Sequence, residues 1–251
     1  MRMTVGFVSL GCPKNLVDTE RMMTLLSDAG VVLTGDQSAA DIVVINTCGF
    51  LEPAKNESMS TIEEFIEAKK AGSLEGVVVA GCMTERYLDL MSKRFPEVDA
   101  FLQTKDFSKI TEVVARIESK ELKKQDKRHL LSGEIAQLKG HSELPDHVKR
   151  SPGKRPYAYV KIAEGCNRTC SFCIIPKLRG KLHSRSIDGI VAEVRDLASF
   201  GVREIMLIAQ DLTSYGRDLS DGTSLLELVK ALEQIDGIQW IRLHYNYPRF
   251  F

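Results

Sequence analysis

Three short apolar runs recur through the first third of the chain: VGFVSL (5–10), DIVVINT (41–47) and GVVVAG (76–81). Each is rich in valine and lacks the apolar–polar alternation of a strand with one wet face. Continuous apolar runs of this length are strands covered on both faces. Between them the spacing becomes helical. Leu16, Met23, Leu26 and Ala29 share one face, and Gly30 stops that segment. Ile62, Phe65 and Ile66 mark a second helix over about 53–71, and a third is expected over about 84–94. Strands alternating with helices build a parallel sheet with helices on its faces. The N-terminal region is therefore expected to be an α/β, Rossmann- or flavodoxin-like domain.

A cysteine follows each run within two residues: Cys12, Cys48 and Cys82, spaced 36 and 34 residues apart. In a parallel sheet all three strand ends lie along one edge, where open α/β folds bind ligands. Three thiols remote in sequence are thus expected to meet, one thiolate short of the four that an iron–sulfur cube takes. Gly11, Gly49 and Gly81 stand beside them and suit a backbone that approaches a bulky group. The plainer alternative is that each cysteine is a small buried apolar residue, but three at equivalent strand ends favour a shared site. Asn15 and Asn46 flank these cysteines and read as turn caps.

Residues 121–156 break the βα rhythm. ESKELKKQDKRH reads as a charged helical tail, and KRSPGKRP as a basic linker whose charges are solvated. The rhythm returns with AYVKIA (158–163). Ile187, Ile190, Val191, Val194, Leu197 and Ala198 then form a full helical stripe over 187–200 that Gly201 ends. REIMLIA (203–209) is the next strand, Ser224 with Glu227 a capping box, and IQWIRLHY (238–245) a third strand. The expected organisation is a domain over 1–120, a tail and linker over 121–156, and a second α/β domain over 157–251. Two and a half βα units cannot close a barrel, so the chain is expected to be the first part of a longer protein, with its last strand an edge.

The loop after AYVKIA reads EGCNRTCSFC, with Cys166, Cys170 and Cys173 at i, i+4 and i+7. A loop can wrap three thiolates around one cube and leave the fourth iron open. A chelating amino and carboxylate pair, as in S-adenosylmethionine, suits that corner, and a reducing cluster beside the sulfonium would cleave a C–S bond. Two alternatives stand beside this. Zinc in a Cys3His site would use His183, although the cysteine spacing is not a usual zinc pattern. A one-electron ferredoxin would need a nearby fourth thiolate, and no further cysteine lies within 80 residues.

The bulk numbers exclude more than they assign. Of 251 residues, 43% are hydrophobic and 27% charged, and 34 basic side chains balance 34 acidic ones. Net charge therefore points to neither nucleic acid nor an acidic membrane. No apolar run reaches the ~18 residues of a membrane-spanning helix. MRMTVGFVSLGC superficially resembles a lipoprotein signal but is too short and too interrupted. A cytoplasmic protein with six cysteines is expected, its thiols serving metal or catalysis rather than disulfides.

EGCNRTCSFCIIPKLRGKLHSRS resembles the core motif of the radical S-adenosylmethionine methylthiotransferases, and SLGCPKNLVDTE, NTCGFLEPAKNES and VAGCM resemble their N-terminal domain. The six cysteines match one by one. CPKNLVDTE, EPAKNES and IAQDLTSYGRDL resemble the ribosomal-protein branch, and the transfer-RNA branch typically carries glutamine at the position of Pro13. The resemblance implies the first part of a radical S-adenosylmethionine (β/α) barrel after the N-terminal domain. It implies two 4Fe-4S clusters, one on Cys166, Cys170 and Cys173 that cleaves S-adenosylmethionine, and an auxiliary one on Cys12, Cys48 and Cys82 that handles sulfur. The implied reaction begins with hydrogen abstraction from the β-carbon of an aspartate by a 5′-deoxyadenosyl radical and ends with a methylthio group there. The implied partners are small-subunit ribosomal protein twelve of the decoding centre as substrate, a sulfur donor and an electron donor; neither membrane nor nucleic-acid substrate is implied. Transfer-RNA adenosine modification and a non-catalytic iron–sulfur-binding fragment are the alternatives. Members run well past this length, so the activity carries over to the intact protein more firmly than to this chain alone. Phe172 is expected near the adenine. Arg179 and Arg185 are expected to meet a carboxylate of cofactor or substrate, Gln210 and Asp211 to line the site, and Tyr215, His244 and Tyr245 to lie further out.

Overall fold

A computed structural model describes residues 3–120, 149–150 and 152–248. The charged tail and most of the linker expected over 121–156 lie outside the described residues. The chain divides into two compact units, residues 1–142 and 143–251.

The first unit is built on five parallel strands. They are β1 (Thr4–Ser9), β2 (Val32–Thr34), β3 (Ile42–Thr47), β4 (Gly76–Gly81) and β5 (Ala100–Leu102), in the order β2-β1-β3-β4-β5. Helices α1 (Pro13–Asp28), α2 (Glu52–Lys70), α3 (Cys82–Arg94) and α4 (Ile110–Glu118) connect and cover them. The three long strands are those the apolar runs predict, and every residue of β3 and β4 is buried. β2 and β5 have only three residues each. Each lies at a sheet edge, where half the ladder is unpaired and too few residues are buried to leave a run. The order is the flavodoxin-like doubly wound one. Its direction reverses between β1 and β3, and folds of this order bind ligands beyond the carboxyl ends of the strands at that reversal.

The second unit begins with β6 (Tyr157–Lys161). After β7 (Ala163–Glu164) come α5 (Ile175–Arg179), β8 (His183–Ser184), α6 (Ile187–Ser199), β9 (Glu204–Ile208), α7 (Leu225–Leu232) and β10 (Trp240–Leu243). β6, β9 and β10 form a parallel sheet in the order β10-β9-β6, so each new strand joins the same side, as in a barrel rather than a doubly wound sheet. One face packs Ala158, Val160, Ile205 and Leu207 against Ile190, Val194 and Leu197 of α6 and Leu228 and Leu232 of α7. Both helices start on serine caps: Ser186 accepts from Gly189 N–H and Ser224 from Glu227 N–H. β10 is an edge, with Trp240 and Leu243 exposed.

The basic linker carries one surprise. Arg150, expected among solvated charges, is buried. Its Nε meets Glu193 of α6 at 2.5 Å, and its guanidinium also donates to the Tyr159 carbonyl. Arg185 reaches the other oxygen of Glu193 at 2.5 Å. A guanidinium survives burial only when its donors find acceptors, so Arg150 belongs to the packing of the second unit.

Candidate metal centres

The first three cysteines stand where the sheet order reverses. Cys12 follows β1 and is the N-cap of α1, with Pro13 in the first helical turn, where its missing N–H costs nothing. Cys48 follows β3, and Cys82 opens α3 directly after β4. Side chains join these ends. Asn15 Nδ2 donates to the carbonyls of Leu10 (3.0 Å) and Thr47 (2.9 Å), and its Oδ1 lies 3.9 Å from Cys82 Sγ. Asn46 Nδ2 donates to Asn15 O (2.8 Å) and Thr19 Oγ1 (3.0 Å), and Thr19 Oγ1 donates to Ser9 Oγ (3.0 Å). Asn15 and Asn46, read from sequence as turn caps, are thus buried links between strand ends. No local pattern signals this, because their partners come from other strands.

The glycines have a different use from the expected one. A Cβ on Gly11 would lie 2.7 Å from Cys48 Cβ, one on Gly49 2.9 Å from the Cys82 carbonyl oxygen, and one on Gly81 2.5 Å from Thr47 O. They allow chain to approach chain at the cysteine-bearing strand ends.

One feature of this cradle suits an iron–sulfur cluster. Helices α1, α2 and α3 all begin without a side-chain cap, as do α4 and α5, whereas α6 and α7 carry serine caps. Uncapped first-turn N–H groups and the positive end of the helix dipole favour an anion such as a thiolate-ligated cluster. Among the described residues, no three His, Cys, Asp or Glu side chains are close enough to hold one metal ion. A cube does not require three ligands around one ion, because its thiolates bind separate corner irons.

The second three cysteines occupy a loop pinched at its neck. β7 and β8 pair antiparallel, Ala163 with Ser184 and Glu164 with His183, and Cys166 N–H donates to Gly180 O at 3.0 Å. Gly165 sits in this neck at φ +73°, where a Cβ would fall 2.0 Å from Lys181 O, so no other residue fits. His183, the alternative zinc ligand, stands opposite Glu164 in that ladder. Cys166 is buried, while Cys170 and Cys173 are partly exposed. Burial pushes the Cys166 thiol up, which a bound metal would reverse.

Beneath the loop lies a buried ionic cluster. Lys161, 1% exposed, points from β6 to Glu164 Oε2 at 2.7 Å. Arg179 Nη1 reaches the same oxygen at 3.3 Å, and Gln210 Nε2 donates to Oε1. Burial alone would raise the Glu164 carboxyl; Lys161 and Arg179 overcome it and hold it down at about 2. The fully buried Lys161 within an apolar strand was the sequence signal for this cluster, and sequence reasoning missed it. Gln210 Oε1 is buried without a hydrogen-bond partner among the described residues. A group carrying an N–H or O–H would satisfy it.

The remaining expected residues divide in two. Arg179 and Arg185 are both internal, paired with Glu164 and Glu193. Arg185 Nη1 also donates to Lys161 O at 2.8 Å, and Tyr215 OH to Arg185 O at 2.8 Å. Their guanidiniums brace the neck of the loop. Asp211 pairs with Arg168 and accepts from Thr213 and Ser214. Burial would raise its carboxyl, but the two hydroxyls and Arg168 lower it. Phe172 is 88% exposed and buries nothing in the loop. A cavity of about 470 Å³ beside the loop is lined by Asn167, Arg168, Cys170, Leu182, Arg217 and Tyr247 among others, with the Arg168 guanidinium 3.6 Å from the centre of the Tyr247 ring. Tyr159 and His244 meet edge-on at 6.5 Å, and His244 and Tyr245 at 6.2 Å.

The chain is similar to known proteins in sequence and in fold. A family model described as "Uncharacterized protein family UPF0004" matches residues 4–103, and one described as "Radical SAM superfamily" matches residues 160–250. A "Ribosomal protein uS12 methylthiotransferase RimO" of Symbiobacterium thermophilum is 45% identical over 97% of this chain and 48% of its own length. Its namesake in Aquifex aeolicus is 45% identical over 98% of this chain and 50% of its own length. The chain spans about half the length of the curated relatives it matches. Among solved structures, the radical S-adenosylmethionine methyltransferase TsrM of Kitasatospora setae shares the fold, with a TM-score of 0.60 at 13% identity over 93% of this chain and 50% of that one. The enzyme OxsB does so at a TM-score of 0.56 and 13% identity, over 95% of this chain and 38% of that one. No helix among the described residues is long and apolar enough to cross a membrane. With a UPF0004 segment and a radical SAM segment in one chain, and this identity to RimO proteins across nearly all of it, the chain belongs to the radical S-adenosylmethionine methylthiotransferase family.

Proposed function

We propose that the chain is a portion of a cytoplasmic transferase that places a methylthio group on the β-carbon of an aspartate in small-subunit ribosomal protein twelve. The observation that carries this reading is the pair of separate three-cysteine sets, one in each unit, each one thiolate short of a cube. Cys166, Cys170 and Cys173 would hold one 4Fe-4S cluster, and Cys12, Cys48 and Cys82 an auxiliary one. When bound, these clusters and S-adenosylmethionine would supply the radical chemistry, the sulfur and the methyl group, none of which a side chain can provide.

The chain itself would orient and enclose. The β7–β8 ladder fixes both ends of the cysteine loop, and the Lys161–Glu164–Arg179 cluster holds that neck rigid from below. Phe172 offers an apolar face for adenine to stack on, and Gln210 Oε1 an acceptor for an amino or hydroxyl group. Asp211 restrains Arg168 at the cavity wall, where Arg168 and Arg217 form a positive margin suited to an acidic target. A sulfur donor and an electron donor complete the set of partners.

Anaerobic reconstitution of the chain tests this. About eight irons are expected per chain, falling to about half when either cysteine triplet is replaced by alanine. With dithionite and S-adenosylmethionine, 5′-deoxyadenosine should be released, and only when Cys166, Cys170 and Cys173 are present. Mass spectrometry should then find the added methylthio group on the ribosomal protein. A gain on transfer RNA would favour the adenosine reading, and intact clusters with no cleavage the non-catalytic one.

A further inference from the structure

We infer that Asn15 is the positioning residue that sets the spacing of the Cys12, Cys48 and Cys82 thiols. This rests on the reading that these three share one cluster. Asn15 is fully buried in the first turn of α1. Its carboxamide touches all three cysteine-bearing strand ends. Nδ2 donates to Leu10 O, two residues before Cys12, and to Thr47 O, one residue before Cys48. Oδ1 faces the Cys82 thiol at 3.9 Å. The backbone adds a fourth tie, with Asn15 N–H donating to Cys12 O at 2.9 Å.

The residue type follows from that geometry. Two donors on one nitrogen and an acceptor on the adjacent oxygen occur together only in a carboxamide. Aspartate has the same shape but no donor, and would turn one carboxylate oxygen toward both the Leu10 and Thr47 carbonyls and the other toward the Cys82 thiol. It would also add a negative charge beside the thiolates of the proposed cluster. Glutamine would overshoot by one methylene. Asn46 supports the arrangement from behind, through its bonds to Asn15 O and Thr19 Oγ1.

The experiment uses N15D and N15A in the 251-residue chain, with N15S, which supplies a single hydroxyl donor, as a further variant should N15A lose its far-UV circular dichroism. The first readout needs no metal. The reduced chain is treated with dibromobimane, which bridges two thiols, and bridges among Cys12, Cys48 and Cys82 are counted by peptide mapping. They should fall severalfold in N15D and N15A. The second readout counts iron in a background lacking Cys166, Cys170 and Cys173. The parent is expected to take up about four irons and the variants fewer than about one. A merely structural role would lower the unfolding midpoint and leave both readouts alone. A folded variant that bridges its thiols and loads iron like its parent overturns the inference. A parent that takes up no iron overturns the cluster reading instead, and the bridging comparison still decides for or against Asn15.

Discussion

Replacing Gly81 by alanine should cost the first unit a large share of its stability and empty the auxiliary site. Gly81 closes β4, opposite Thr47 of β3, and caps α3 at φ +101°, ψ −162°. That backbone region is essentially restricted to glycine, and holding another residue there costs about 1–3 kcal/mol. A Cβ would also lie 2.4 Å from Asn46 Oδ1, 2.5 Å from Thr47 O and 2.9 Å from Thr47 N. Two of these are backbone atoms of the paired strand, so no rotamer change relieves the overlap; the strand end must move. Overpacking of this kind costs about 1–3 kcal/mol more. The sum, roughly 2–6 kcal/mol, is comparable with the ~5–15 kcal/mol that stabilises a typical domain. In urea, with a slope of about 1–3 kcal/mol per molar, the midpoint of the first unit should fall by on the order of 1–2 M. Far-UV circular dichroism follows that transition, and an iron count on the folded fraction follows the site. Because Cys82 is the next residue, the displacement should remove about four irons and leave the other cluster intact. A midpoint within a few tenths molar of the parent, together with full iron, would refute the reasoning.

Three further outcomes are expected. Glu193→Ala leaves the buried guanidiniums of Arg150 and Arg185 without their shared carboxylate and should destabilise the second unit by about 3–5 kcal/mol in a denaturation curve; a loss under ~1 kcal/mol would mean that both arginines find other acceptors. Burial raises the Glu85 carboxyl above its ordinary 4.5, although Thr104 donates to it. The folded chain therefore holds that proton more tightly than the unfolded one, so this contribution is complete below pH 4.5 and is lost as pH rises through the raised value. Glu85→Gln should accordingly melt higher than the parent at neutral pH and alike in acid, and the reverse pattern in parallel heat scans would contradict the assignment. Phe172→Ala should leave stability within ~0.5 kcal/mol, since the ring is exposed, yet weaken S-adenosylmethionine binding to the cluster-loaded chain roughly tenfold or more by calorimetry, given ~1.5–3 kcal/mol for burying such a ring.

The two units solve the same problem differently. In the first, the cysteines are scattered through the sequence and the sheet collects them, so precision rests on inter-strand ties such as Asn15 and on glycines that let the strand ends close up. In the second, the cysteines are local, and precision rests on the neck of the loop. There a two-residue ladder and three charged side chains do what a whole sheet does in the first unit. The Glu164 cluster is costly to bury and is sustained only because each charge meets an opposite one in a site closed to water. A rigid floor under the cysteine loop is what such an arrangement provides.

Much of this was written in the sequence. The buried strands β1, β3 and β4 stand out because a strand covered on both faces must be apolar throughout. Helix α6 stands out because its stripe recurs with the helical period. The six cysteines declare themselves because both of their patterns are scarce in a chain of this composition. The tertiary structure alone decided the rest. Edge strands β2 and β5 are too short to leave a pattern. Arg150, Arg179 and Arg185 look like surface or ligand-binding charges until their buried partners, Glu164 and Glu193, are placed against them. Asn15 and Asn46 look like turn caps because a carboxamide's role depends on which backbone groups come within about 3 Å. Periodicity records which face of an element is dry, a property of neighbours along the chain; the partner of a polar group is a property of neighbours in space, and only the closed fold supplies it.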